Sequence, residues 1–191
     1  MSKDPKDVSR RQLLTFWRKP LAELSETIKP APPVAKRPPP LRPPGMMHEL
    51  MLVQACIRCG KCVEVCPADA IHPLDQSWGV AAGTPFIDAR RQPCVLCDGI
   101  KCSHVCPSGA LVPTYVPNDV TMGTAVLDQK RCVTWLGRAC DVCITRCPRP
   151  GALVADDKGQ VSVVASLCTG CGVCEQVCPT EPTSIHVVPR D

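Results

Sequence analysis

All sixteen cysteines of this 191-residue chain fall into four groups of four, and a proline follows the last cysteine of each: Cys66-Pro67, Cys106-Pro107, Cys147-Pro148 and Cys178-Pro179. Cys56, Cys59, Cys62 and Cys66 make the first group; Cys168, Cys171, Cys174 and Cys178 make the fourth. Both have the spacing C-x2-C-x2-C-x3-C-P, which wraps three thiolates around an iron–sulfur cubane and sends the fourth elsewhere. Cys94, Cys97, Cys102 and Cys106 form the second group, with x2, x4, x3 spacing. Cys132, Cys140, Cys143 and Cys147 form the third, with x7, x2, x3 spacing. Each group keeps the closing x3-C-P, and each supplies four thiolates. The expectation is therefore four [4Fe–4S] clusters with all sixteen cysteines as ligands. A [3Fe–4S] cluster usually lacks one ligand, and here none is missing.

Other uses of cysteine fit less well. Disulfide frameworks rarely repeat one spacing with a proline after the last cysteine. Four-cysteine zinc sites also use C-x2-C pairs, but a zinc ribbon takes two pairs from separate hairpins. A triplet at x2 spacing wraps three corners of a cube instead. Gly60 and Gly170 to Gly172 lie inside the compact loops, where the backbone turns its amides toward sulfur and positive φ is needed. The four histidines, His48, His72, His104 and His186, are surplus as ligands. Trp78, Trp135 and Tyr115 are expected to pack over clusters and exclude water. No phosphate loop, dinucleotide fingerprint or Ser/His/Asp constellation is present, so the chain reads as a non-enzyme without a substrate site of its own.

Aromatic residues are only 3% of the chain, so a core of large side chains is not available. Metal binding is itself folding free energy and would supply what the core lacks. Residues 1–50 carry ten Lys/Arg against five Asp/Glu, and residues 51–191 carry twelve against thirteen. Each [4Fe–4S]2+ core with four thiolates adds two negative charges, so the loaded body would stand near about −9 beside a basic arm. The basic residues accompany no nucleic-acid recognition motif, and nucleic acid is not an expected partner.

Residues 1–45 hold ten of the twenty-two prolines and read as a basic, extended or disordered arm. Within it, Ser9 to Lys19 could form a short helix with Ser9 as N-cap and Pro20 as its end. Leu13, Trp17, Leu21 and Leu24 fall roughly on one face, which makes residues 9–24 a candidate for peripheral membrane contact or partner docking. Ser9-Arg10-Arg11-Gln12-Leu13-Leu14 has the core of a twin-arginine export element. The apolar stretch such a signal needs is interrupted at once by Arg18, Lys19, Pro20 and Glu23. The expected location is therefore the cytoplasm, at most the inner membrane face, with periplasmic export by the twin-arginine route as the alternative.

From Met46 onward the chain is a fourfold repeat, in which short extended runs frame cysteine loops. Extended runs are expected at 85–89, 125–127 and 161–164, with second runs at 68–71, 108–112, 151–154 and 183–188. His48 to Ala55 reads as a helix. The fold class is α+β, built from tandem bacterial-ferredoxin-like modules of pseudo-twofold symmetry. In two-cluster ferredoxins the last cysteine of one run ligates the other run's cluster, which ties repeats into pairs. The compact groups one and four look alike, as do the expanded groups two and three, which favours a nested arrangement. Cys56, Cys59 and Cys62 would then take Cys178; Cys168, Cys171 and Cys174 would take Cys66. Cys94, Cys97 and Cys102 would take Cys147; Cys132, Cys140 and Cys143 would take Cys106. An outer module of 46–80 plus 156–191 would enclose an inner module of 81–155. Sequential pairing, one with two and three with four, stays open.

Cys94 to Leu111 (CVLCDGIKCSHVCPSGAL), Gly83-Thr84-Pro85-Phe86 and the spacing of group three resemble the ferredoxin-type NapG/MauM family. The resemblance covers about residues 50–188. It implies four [4Fe–4S] clusters and an electron-transfer role. NapG-type proteins work with a membrane partner in passing electrons from quinol toward periplasmic nitrate reductase, and MauM-type proteins belong to methylamine utilisation. The related iron–sulfur subunits of molybdenum oxidoreductases imply nested pairing as well. The Ser-Arg-Arg…Leu…Trp-Arg-Lys start is more similar to the cytoplasmic NapF type. The expected function is a relay of single electrons between a quinol-linked donor and a partner oxidoreductase, membrane-associated or molybdenum-containing. The alternatives are an accessory factor in assembly of a molybdenum enzyme, or a structural iron–sulfur subunit.

Overall fold

The computed structural model describes residues 37–190. The candidate helix at 9–19, the twin-arginine element and the candidate membrane-contact segment lie outside the described residues.

The elements are short, and each is started or stopped by a residue whose chemistry explains it. Helix α1 (Glu49–Ala55) begins at His48, whose Nδ1 accepts from the Leu50 amide at 3.2 Å, and it ends where Cys56 turns extended. Helices α2 (Lys61–Glu64), α3 (Lys101–His104), α4 (Val142–Thr145) and α5 (Val173–Val177) each carry the third cysteine of a group. Left-handed Gly60 and Gly172 open α2 and α5, with φ of 76° and 88°. In group two the added residues become a 3-10 turn, Asp98–Ile100, before α3. One- or two-turn helices do not persist alone in water, so packing must hold these in place.

Among the described residues six strands form three antiparallel pairs. β1 (Ile71–Pro73) pairs with β2 (Pro85–Ile87), and Ile71 faces Ile87. β3 (Gly123–Leu127) pairs with β6 (Ile185–Pro189), with Ala125 opposite Val187. β4 (Leu153–Ala155) pairs with β5 (Val161–Val163) through a tight turn at Asp156–Gly159. The architecture is the expected α+β assembly of short elements, consistent with ferredoxin-like modules. The expected run at 108–112 forms no strand. Gly109 turns the chain at a φ of 70°, and the Val112 amide instead donates to the Gly45 carbonyl at 2.8 Å.

Two features depart from the sequence reading. First, the pairs join neighbours in sequence. α2 packs on α3 and α4 on α5; β1 pairs with β2 across the expected 80/81 boundary. An outer module of 46–80 plus 156–191 around an inner module of 81–155 does not describe this arrangement. An N-terminal half holds groups one and two, and a C-terminal half holds groups three and four. Short connections make the adjacent partner cheaper to reach, because closing a longer loop costs more entropy.

Second, the body begins before residue 45. Leu41, Arg42, Pro43 and Pro44 are buried, and Ile87 donates its amide to the Leu41 carbonyl at 2.8 Å. The Arg42 side chain is 0% exposed and fully engaged. Its Nε donates to Glu49 Oε2 at 2.8 Å, its Nη1 to Thr84 Oγ1 at 3.0 Å and the Pro85 carbonyl at 2.7 Å, and its Nη2 pairs with Glu49 Oε1. A buried guanidinium is tolerated because its donors meet acceptors. The pair pins a prolyl strap across α1 and β2.

Two apolar clusters fill the halves, and cysteines belong to both. Leu41, Ile71, Ile87, Ile100 and Val120 surround Cys102 and Cys171 in the first. Leu153, Val161 and Ile185 surround Cys174 and Cys178 in the second.

Candidate metal centres

Four cavities open among the cysteines, each lined by three thiols from one group and one from its sequence neighbour. Site 1 gathers Cys56, Cys59 and Cys62 with Cys106. Site 2 gathers Cys94, Cys97 and Cys102 with Cys66. Site 3 gathers Cys132, Cys140 and Cys143 with Cys178, and site 4 gathers Cys168, Cys171 and Cys174 with Cys147. All sixteen are free thiols. The closing cysteine of every group thus crosses to a partner site as expected, but the partner is the sequential one. The nested sets, Cys178 with Cys56 or Cys147 with Cys94, are not brought together.

The helices explain the crossing. The third and fourth cysteines of a group are four residues apart, one turn along a helix, so they point along the same side at different heights. Cys62 on α2 faces site 1, while Cys66, just beyond its end, reaches site 2. On α3, packed alongside, Cys102 faces site 2 and Cys106 returns to site 1. The same exchange links α4 and α5.

The donor set fits a polynuclear cationic group. The thiols surround a space rather than converge. At each of sites 2, 3 and 4 the four thiols line one small cavity. Among the described residues no group of three or more His, Cys, Asp and Glu meets closely enough to hold one metal ion. Burial, with repulsion from neighbouring thiols, pushes Cys94 and Cys102 up to about 12. The same causes push Cys62 and Cys143 up to about 11 and raise Cys174 further. Thiolates crowded in low dielectric repel one another, and a cationic core between them removes that penalty. Site 1 is the most open: Cys59 is exposed, and Arg58 closes one wall by donating to the Val80 and Ala82 carbonyls, each at 2.8 Å.

The partners of the sulfurs were not picked out from the sequence. Although burial acts to raise Cys178, the hydroxyls of Ser184, Thr180 and Thr183 bring it down to about 6. Its Sγ lies 3.2 Å from Thr180 Oγ1 and 3.3 Å from Ser184 Oγ. Cys106 is lowered too: the Leu111 amide and the Ser108 hydroxyl outweigh burial. Cys132 Sγ lies 3.2 Å from Thr134 Oγ1, and Ala125 donates its amide to Cys168 Sγ at 3.4 Å. A readable signal existed, since Ser or Thr stands two residues after Cys106, Cys132 and Cys178. Hydrogen bonds to cluster sulfur stabilise the reduced, more negative state. Ser184→Ala is therefore expected to shift one potential to more negative values in a redox-titrated EPR experiment and leave the others in place. An unchanged set of potentials would contradict the assignment.

The aromatic side chains Trp78, Trp135 and Tyr115 are not among the residues that line the four cavities. Trp135 is half-buried and donates its Nε1 proton to the Val161 carbonyl at 2.9 Å. Tyr115 is 73% exposed and stands edge-on to His104, with ring centroids 4.6 Å apart, so it covers no site.

Comparison with known proteins agrees with this geometry. A 4Fe-4S dicluster domain matches residues 55–110, which hold groups one and two together, and a 4Fe-4S binding domain matches residues 161–182. The chain is 40% identical to the ferredoxin-type protein NapG of Escherichia coli (strain K12), over 78% of this chain and 70% of that protein. It is 37% identical to the methylamine utilization ferredoxin-type protein MauM of Methylorubrum extorquens, over 98% of this chain and 92% of that one. The chain belongs to the NapG/MauM family of ferredoxin-type proteins. A second MauM, from Methylophilus methylotrophus, is 37% identical over 79% of this chain and 71% of its own. As a member of this family the chain is a ferredoxin-type iron–sulfur protein that binds 4Fe-4S clusters. Among the described residues no helix is long and apolar enough to cross a membrane.

Proposed function

We propose that this protein is an accessory component of an oxidoreductase system, holding four [4Fe–4S] clusters on its sixteen cysteines. The observation that carries the reading is the gathering of four thiols around each of four cavities. When bound, such groups supply one-electron oxidation and reduction. The chain's own residues hold them, wall them from water and tune them through amide and hydroxyl hydrogen bonds to sulfur. The partner is a redox protein, membrane-associated or molybdenum-containing, as the NapG relatives suggest. Family membership favours the periplasm over the cytoplasm, and the Arg10-Arg11 pair of the twin-arginine element is the feature of this chain that would direct export. Fractionation of cells expressing an Arg10→Lys, Arg11→Lys variant tests this: retention in the cytoplasm supports export, and unchanged distribution overturns it.

Two services fit the family equally in chemistry: continuous electron relay to the partner, and assistance in assembling or activating it. Relatives named for methylamine utilization, a process rather than a reaction of their own, favour keeping the second. Anaerobic purification should give about sixteen irons and sixteen sulfides per chain, four per cubane. Zinc in their place would end the cluster reading. Withdrawing the protein from a mature partner then separates the services. Lost electron flow identifies a relay, and undiminished activity identifies an assembly role.

A further inference from the structure

We infer that the chain sets its four sites in a single row, in the order site 1, site 2, site 4, site 3, joined between the halves where Cys94 meets Cys171. The inference rests on the proposed four-cluster reading. Within each half the order follows from the helices. α2 and its end carry Cys62 of site 1 and Cys66 of site 2; α3 and its end carry Cys102 of site 2 and Cys106 of site 1. Positions one turn apart are about 5–6 Å apart at Cβ, so the two sites of a half share walls. Sites 3 and 4 share α4 and α5 in the same way.

Between the halves, the Cys94 amide donates to the Cys171 carbonyl at 3.0 Å. Among the described residues this is the backbone hydrogen bond that ties a cysteine of one half directly to a cysteine of the other. Cys171 is buried in the first apolar cluster, which also holds Leu96 and Cys102, rather than in the second. Site 2 and site 4 therefore meet, while sites 1 and 3 lie at the two ends.

Two residues position this junction. A Cβ on Gly172 would collide with that of Ala89, and Gly172 has a φ of +88°, so only glycine allows so close an approach. Arg90, from the N-terminal half, donates to the carbonyls of Glu175 at 2.9 Å and Cys178 at 3.0 Å. It thereby caps α5, the helix that presents Cys174 and Cys178, and the Gln176 side chain returns a bond to the Arg91 carbonyl at 3.2 Å. Arg90 lines none of the four cavities.

Magnetic coupling between reduced clusters tests the row in the full-length, cluster-loaded protein. Removing site 2 with Cys97→Ala is expected to leave site 1 as an isolated, unsplit EPR signal. Removing site 4 with Cys168→Ala is expected to isolate site 3. Removing site 1 with Cys59→Ala should leave the other three coupled. An isolated site 2 in the Cys59→Ala protein, or a site 1 still split in Cys97→Ala, overturns the order. Arg90→Met leaves every ligand in place and keeps the test open should a cysteine variant fail to fold. It is expected to retain about sixteen irons and lose the site 2–site 4 splitting. Sixteen irons with unchanged splitting overturns the junction alone; a wild-type protein with fewer than sixteen overturns the four-cluster reading itself.

Discussion

Stripping iron from the loaded protein with a chelator, under anaerobic conditions, is expected to unfold residues 39–190. The far-UV circular dichroism should collapse toward that of a coil, the cooperative thermal transition should disappear, and all sixteen thiols should react with an alkylating reagent. The reason lies in what the body has for a core. Its largest fully buried apolar side chains are a few aliphatics, Leu52, Ile100, Leu111 and Ile185, and no aromatic ring is among them. Helices of four or five residues lie below the length at which a helix persists, and two-stranded sheets are marginal on their own. Thiols fill much of the remaining interior, and several are pushed so far up by burial and mutual repulsion that they cannot ionise together without a cation. Binding to metal supplies the missing free energy; for structural zinc in small peptides this is on the order of 10–16 kcal/mol per site. Four polynuclear sites, on the proposed reading, would therefore dominate the stability of the body. A chelated protein that stayed compact, with a cooperative melt and protected thiols, would sink this account.

Much of the fold could be read from residues because the ligands dictate it. The group spacings and the Cys-Pro closures are local, and so are the short helices that carry Cys62, Cys102, Cys143 and Cys174. The helix start at His48 and the runs near 85, 125, 161 and 185 are equally local, and each stands close to where it was expected. The pairing of groups was not local. Similar spacing in groups one and four suggested kinship, yet spacing describes how a loop wraps its own site, not which helix lies beside it. Contact between α2 and α3 is decided by the short connection through β1 and β2 and by the apolar faces of Ile71, Ile87 and Ile100. The strap went unread for a related reason. A proline-rich run looks solvated, and only the buried pair between Arg42 and Glu49, seven residues apart, shows it packed. Of the hydroxyls on Cys178, that of Thr180 follows the spacing shared by Ser108 and Thr134, whereas Ser184, six residues on, is brought to the sulfur only by the fold.

Pairs of cysteine substitutions are expected to divide by site, and the division tells sequential from nested crossing without any structure. Each single alanine at a ligand should cost one cluster, leaving about twelve irons. Cys132 and Cys178 line the same cavity, so Cys132→Ala with Cys178→Ala should still leave about twelve irons, the second change adding no further loss. Cys56 and Cys178 line different cavities, so Cys56→Ala with Cys178→Ala should leave about eight. Nested crossing demands the opposite pattern, because it places Cys178 with Cys56 and away from Cys132. The same logic applies in the N-terminal half, where Cys56→Ala with Cys106→Ala should behave as one loss and Cys94→Ala with Cys106→Ala as two. Iron and labile sulfide counts on anaerobically purified protein read the result directly. The expected non-additivity follows from the helices: a cysteine and the one a turn away serve different sites, so the chain cannot lose a group without damaging two clusters. Deleting all of group four should accordingly leave about eight irons, not twelve, since Cys178 belongs to site 3 while its three companions belong to site 4. A loss of only four irons on that deletion would mean that each group closes on itself, and the exchange between α4 and α5 would have no chemical consequence.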